Sequence, residues 1–183
     1  SAAILTIAII STFGFPVVQQ IIVFAEEVFE VSPFLFGLLG SAQGIGAVLA
    51  VPLVTGYVSF MKPSVQQLIA TVGYGFAVMI FALAPSYTVA FCSLGILGIM
   101  HLISASNLNS VVQLQVDEEM RGRVMAIYLV GVLGPAPFAG LAMGWLVSSF
   151  GPRLVVALSG SILALLAVVL WLRGKFSDLN ATN

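Results

Sequence analysis

The sequence predicts an all-α integral membrane protein with six transmembrane helices arranged as two three-helix repeats. Hydrophobic residues make up 60% of the chain and charged residues only 7%, whereas a soluble domain carries about 25% charged residues. A spanning helix needs about 20 apolar residues, so a chain of 183 residues with short loops admits about six spans. The net charge of -1 provides no basic surface for a nucleic acid partner.

The first predicted span runs from about Ala2 to Phe24, with Pro16 near its middle, where proline is typical of a bend in a membrane helix. Thr12, Phe15 and Gln19 fall on one stripe at helical spacing. We predict that this stripe forms part of the wall of a cavity. The alternative is hydrogen bonding of the threonine and glutamine to neighbouring helices, which is common between packed membrane helices.

The second predicted span begins after the N-cap residue Ser32 and extends to about Tyr57. Small residues at close intervals, among them Gly40 and Gly44, favour tight helix packing over a sliding gate. Gln43 lies among these glycines, and we predict that it faces a neighbouring helix or the cavity.

The third predicted span, from about Val65 to Leu83, and the sixth, from about Leu154 to Leu172, are the most apolar of the set. A helix that is apolar on every side is typically buried in lipid. We therefore predict that both spans face lipid on the outside of the bundle. The bundle is predicted to comprise residues 1–175, followed by a polar, mobile cytoplasmic tail over residues 176–183.

The fourth predicted span, from about Thr88 to Gln113, is the most polar. His101, Ser104 and Asn107 step along one side of it, and His101 lies about 20 Å from the start of the helix, near the bilayer centre. A titratable group inside a membrane is a functional candidate. The alternative is a neutral histidine that hydrogen-bonds to a neighbouring helix.

The fifth predicted span, from about Val124 to Ser148, contains several glycines and prolines. Gly131, Gly134, Pro135 and Gly140 indicate a kinked helix that packs closely against its neighbours.

A cluster of charge separates the fourth and fifth predicted spans and forms a predicted hinge loop. Its residues are Asp117, Glu118, Glu119, Arg121, Gly122 and Arg123. Arginines beside a span end hold that end in the cytoplasm, whereas acids count little. Because successive loops alternate sides, Lys62, Arg173 and Lys175 fall on the same side, and Arg153 on the other. Both ends of the chain are therefore predicted to be cytoplasmic.

Residues 117–126, with the sequence DEEMRGRVMA, resemble the loop between the tenth and eleventh helices of major facilitator superfamily transporters. The resemblance is strongest to the branch of enterobactin exporters and related drug or secretion-effector permeases. It implies that the chain is the C-terminal half of a twelve-helix transporter in a bacterial inner membrane. The implied partners are the lipid bilayer, an N-terminal six-helix half and a small-molecule substrate.

The leading functional hypothesis, which the resemblance implies, is ion-gradient-driven efflux of a small organic molecule such as a drug or siderophore. The predicted substrate cavity is lined by Thr12, Phe15, Gln19, Gln43, His101, Ser104 and Asn107. The alternative is a noncatalytic six-helix partner or scaffold of another permease. An enzyme ranks last, because one histidine and one cysteine provide neither a nucleophile with its base nor a metal cluster. We expect no cofactor and no metal.

Overall fold

The computed structural model of the chain describes residues 2–114 and 120–180. Within these residues, six helices are long and apolar enough to cross a membrane, and we number them as the first to sixth spans. Their bounds are Ala8–Val28, Pro33–Thr55, Pro63–Ala82, Tyr87–Leu114, Gly122–Phe150 and Pro152–Leu172. The described residues contain no strand. The prediction of an all-α membrane protein with six spans is confirmed.

The first span is not a continuous α-helix. It consists of helices Ala2–Phe13, Phe15–Gln19 and Ile21–Val23, followed by a π-helical turn over Phe24–Val28. Proline lacks a backbone N–H and its ring clashes with the carbonyl one turn earlier, which accounts for an interruption beside Pro16. The backbone N–H groups of Val17 and Gln20 instead reach carbonyls three residues back, at 3.2 and 3.0 Å.

The fifth span is interrupted once, between helices Arg121–Leu133 and Pro135–Phe150. Pro135 begins the second helix at a position where its missing N–H costs nothing. The kink predicted from the glycines and prolines therefore corresponds to a break at Gly134. The buried share of this span, 12%, is also the smallest among the six spans.

The second and fourth spans approach each other more closely than side chains would permit. A Cβ on Gly46 would overlap the carbonyl oxygen of Gly95, and a Cβ on Gly98 would overlap the carbonyl oxygen of Gln43. In a bilayer, helix association depends on such close contacts because lipid is as apolar as the helix surface. Gly46 and Gly98 therefore set the distance between the two spans, whereas a Cβ on Gly95 would make only an ordinary contact of 3.9 Å with the carbonyl oxygen of Ala42.

The glycines singled out from the sequence lie mostly elsewhere. A Cβ on Gly40, Gly44 or Gly131 would meet no described atom within 4 Å, and one on Gly134 would meet only Val130 in the preceding turn. A Cβ on Gly140 would lie 2.7 Å from Oε1 of Gln19, so this glycine does adjoin another span. A packing role for the others requires a surface outside the described residues and stays a prediction.

The third span was predicted to face lipid on the outside of the bundle, and this holds for one of its faces only: Ile69, Phe76 and Ile80 are exposed, whereas the opposite face is buried against neighbouring spans. The buried share of the third span, 50%, is the largest among the six spans. It packs along both the fourth and the sixth spans, and its Gly75 meets Gly160 of the sixth span so closely that a Cβ on either would lie 2.6 Å from the other's carbonyl oxygen. The error arose because its few polar residues share one face, which is the buried one.

The sixth span presents two different faces. Val156, Leu163 and Ala167 are buried against the bundle, whereas Leu158 and Leu165 are exposed. An exposed aliphatic stripe agrees with the lipid contact predicted for this span, although its other face packs on the third span. At its start, Arg153 donates a hydrogen bond of 3.0 Å to the carbonyl of Ala84 just beyond the third span.

The residues after the sixth span are packed, so the prediction of a mobile tail is wrong as far as residue 180. Lys175–Asn180 form a 3₁₀ helix in which Phe176 and Leu179 are buried. Oδ1 of Asn180 accepts a hydrogen bond of 3.0 Å from the backbone N–H of Ser64. This segment therefore satisfies one of the free N–H groups at the start of the third span.

We predict that Gly46→Ala lowers the free energy of unfolding by about 1 to 3 kcal/mol, because the added methyl group forces the second and fourth spans apart. The matched control is Gly44→Ala, two residues away on the open side of the same helix, where alanine is neutral or slightly favourable. Reversible unfolding in mixed micelles measures both. Equal losses for the two variants would contradict the described packing.

Candidate functional site

A buried polar cluster joins the third and fourth spans, with Gln67 at its centre. Nε2 of Gln67 donates hydrogen bonds to Oγ of Ser104 at 2.7 Å and to Oγ1 of Thr71 at 2.9 Å. Nδ2 of Asn107 donates to Oε1 of Gln67 at 3.1 Å and to the carbonyl of Pro63 at 2.9 Å. Gln67 is 0% exposed, and its amide uses both its donors and its acceptor within the cluster.

Helical spacing brings these side chains together. Gln67 and Thr71 are four residues apart on the third span, and Ser104 and Asn107 are three apart on the fourth, so each pair lies on one helix face. A polar group in hydrocarbon has no water to bond with. The two polar faces therefore turn toward each other, and two of the predicted cavity residues bond to the third span.

His101 lies one helical turn from this cluster, near Tyr74 of the third span. Its ring centroid is 6.0 Å from that of Tyr74, with the planes at 50°. Tyr74 also touches the first span, since a Cβ on Gly14 would lie 2.8 Å from the tyrosine ring. The buried ring of Tyr74 is thus near both His101 and the interrupted segment of the first span. His101 is half-buried and makes no hydrogen bond with any described residue.

The first-span stripe is only partly described. Thr12 is half-buried and its hydroxyl donates to the carbonyl of Ala8 within its own helix, at 2.7 Å. Gln19 is exposed next to Gly140 of the fifth span, and the side chain of Phe15 lies outside the described part. The stripe therefore adjoins the fifth span, and its membership of a cavity stays a prediction.

Gln43 is half-buried on the second span, and its backbone carbonyl lies against Gly98. Of the predicted hinge loop, Asp117, Glu118 and Glu119 lie outside the described residues, as does the side chain of Arg121. Gly122 and Arg123 are exposed in the first turn of helix Arg121–Leu133. The structure therefore brings only part of the predicted site together, around the fourth span.

The sequence reasoning missed Gln67, Thr71 and Tyr74, which contact the predicted residues of the fourth span. Their spacing of four and then three residues places all three on one side of the third span. That periodicity predicts a helix face that packs against another helix of the protein. It was overlooked because the average composition of the span is so apolar.

A cavity of about 560 Å³ opens at the ends of the second, third and fourth spans. Of the predicted cavity residues it includes Asn107 alone. Both Nδ2 protons of that side chain are used within the polar cluster. This cavity lies at the same end of the bundle as Lys62.

Comparison with known proteins gives a consistent result over nearly the whole chain. The family model of the Major Facilitator Superfamily matches residues 2–180. The enterobactin exporter EntS of Salmonella choleraesuis strain SC-B67 is 30% identical over 145 residues, which is 78% of this chain. Those residues cover 34% of the exporter, so the chain spans about a third of the length of this curated relative.

We predict that Ser104→Ala lowers the free energy of unfolding by about 0.6 kcal/mol and at most about 1.7 kcal/mol, the range measured for hydrogen bonds between membrane helices. Ser106→Ala on the same helix is the control, because Ser106 is half-buried and bonds to no described residue. Combining Ser104→Ala with Gln67→Met in a double-mutant cycle isolates the hydrogen bond. A coupling energy of zero would show that the two side chains do not interact.

Proposed function

The chain belongs to the major facilitator superfamily, and we propose that it forms the C-terminal six-helix half of a secondary active transporter. The family match over residues 2–180 carries this proposal, together with six spans in a chain that covers 34% of its exporter relative. Alternating access in such proteins requires one bundle to move against another around a shared site. The N-terminal half is therefore the proposed partner.

We further propose that the transporter exports a small organic molecule, such as a drug or siderophore, at the expense of an ion gradient. Support comes from the loop sequence at residues 117–126 and from the similarity to a protein named as an enterobactin exporter. The proposed location is the bacterial inner membrane with both chain ends cytoplasmic. The grouping of Lys62, Arg123 and Arg173 at one end of the spans, with Arg153 at the other, supports that orientation.

The proposed substrate cavity comprises the stripe of the first span, Gln43 of the second and His101 of the fourth. Ser104 and Asn107 act indirectly, because their hydrogen bonds hold the fourth span, which carries His101, against the third. An interrupted membrane helix is a recurrent feature of transporter binding sites. The interruption at Gly14 lies against Tyr74, whose ring in turn lies against His101, so these three spans meet where the cavity is proposed.

His101 is the proposed proton-carrying group of this half. It is the one histidine of the chain, and imidazole is the side chain whose charge ordinarily changes near neutral pH. Glu26 and Glu27 lie at the far end of the first span, in its π-helical turn. A central position and the lack of a described hydrogen-bond partner leave the imidazole available to a substrate or a proton.

The function is tested by transport in inverted membrane vesicles containing the full-length protein. We expect the siderophore enterobactin or a drug to accumulate when a proton gradient is imposed, and the accumulation to collapse with a protonophore. Vesicles lacking the protein are the control. Accumulation that is absent for both substrate classes, or that a protonophore does not affect, would contradict gradient-driven export.

Replacing His101 with glutamine tests its role in the same vesicles. We expect gradient-driven export to fall at least about tenfold and to lose its pH dependence near neutrality, because glutamine hydrogen-bonds but does not titrate. Asn109→Gln on the same helix is the matched control. Export with an unchanged pH profile in His101→Gln would show that His101 carries no coupling proton.

A further inference from the structure

The cavity of about 560 Å³ at the span ends has a location typical of the membrane surface. The 3₁₀ helix Tyr57–Phe60 forms part of its rim, and Tyr57 and Phe60 are 86% and 90% exposed. Exposed aromatic rings beside span ends are typical of the level of the lipid headgroups. The volume falls within the range of small-molecule sites. A ligand in this cavity would therefore sit among headgroups.

Some of the polar side chains that line the cavity are hydrogen-bonded to described residues, and others are not. Ser59 and Gln66 bond to nearby backbone carbonyls. By contrast, the ammonium of Lys62 and the hydroxyls of Ser106 and Ser110 bond to no described residue. No carboxylate of the described residues lines the cavity. The free groups are hydrogen-bond donors with one positive charge, which is the chemistry that binds an anionic oxygen group.

The apolar lining indicates what is attached to that anion. Val54 and Leu114 line the cavity, and Leu114 is 73% exposed. A ligand with an anionic head and an aliphatic tail can therefore place the head at Lys62 and the start of its tail against Val54 and Leu114.

We propose that this cavity binds the phosphate group of an anionic phospholipid, with Lys62 as the charged contact and Ser106 and Ser110 as hydroxyl donors. Basic pockets between membrane helices are a known means of binding anionic headgroups. The site is separate from the proposed substrate cavity, because neither the stripe of the first span nor Gln43 nor His101 lines it. Binding to it is measured without any transport assay.

Native mass spectrometry of the full-length protein in detergent tests the proposal, because no membrane surface is present to attract the lipid unspecifically. We expect Lys62→Gln to weaken phosphatidylglycerol binding about fivefold, the effect of one lysine near an anionic headgroup. Lys175→Gln removes the same charge at the same end of the bundle but outside the cavity, and we expect it to leave binding unchanged. Ser110→Ala should give a smaller loss than Lys62→Gln.

Competition between phosphatidylglycerol and inorganic phosphate distinguishes a lipid site from a site for a soluble phosphate compound. Phosphatidylglycerol that stays bound in millimolar inorganic phosphate supports a lipid site. Full displacement by inorganic phosphate would overturn the lipid assignment and give the cavity to a soluble phosphate compound. Equal losses in Lys62→Gln and Lys175→Gln, or no loss in either, would overturn the site itself. Since Lys62 is exposed, neither substitution disturbs the packed interior.

Discussion

A polar group inside a lipid bilayer has no water to bond with, and this constraint organises the bundle around Gln67. The amide of Gln67 is completely buried and bonds to Thr71 on its own helix and to Ser104 and Asn107 on the next. Breaking any of these bonds would leave a buried donor or acceptor unpaired, and hydrogen bonds between membrane helices contribute about 0.6 kcal/mol and at most about 1.7 kcal/mol each. The third and fourth spans are consequently held together as one unit.

The other spans join this unit through close backbone contact or through their ends. Gly46 and Gly98 bring the second span against the fourth, and Gly75 and Gly160 bring the sixth against the third. The segment after the sixth span returns to the start of the third, where Asn180 bonds to Ser64. The third span therefore contacts the fourth and sixth spans along its length, which explains why it is the most buried. The first span also packs on the third, through Gly14 against Tyr74 and Phe24 against Phe81, whereas the fifth span is the least buried.

The sequence was sufficient for features that depend on composition and local chemistry. Six spans follow from apolar length, Ser32 is the N-cap of the second span, and the interruption of the first span follows from Pro16. It was not sufficient for features that depend on which helices touch. Gly44 and Gly46 are indistinguishable by residue type, yet only Gly46 meets a neighbour. Ser104 and Asn107 were predicted as cavity residues because their partner Gln67 lies 37 and 40 residues away in the chain.

The central claim is that the polar face of the third span is turned toward the fourth, and cysteine cross-linking in native membranes tests it most directly. The pair is Gln67→Cys with Ser104→Cys, in a background in which Cys92 is serine. Because the two native side chains are in hydrogen-bond contact, a short bifunctional thiol reagent should join this pair readily, as measured by mass spectrometry of the intact protein. Ile69→Cys with Ser104→Cys should stay unlinked, since Ile69 is exposed on the same helix. Cross-linking of the second pair but not of the first would contradict the account.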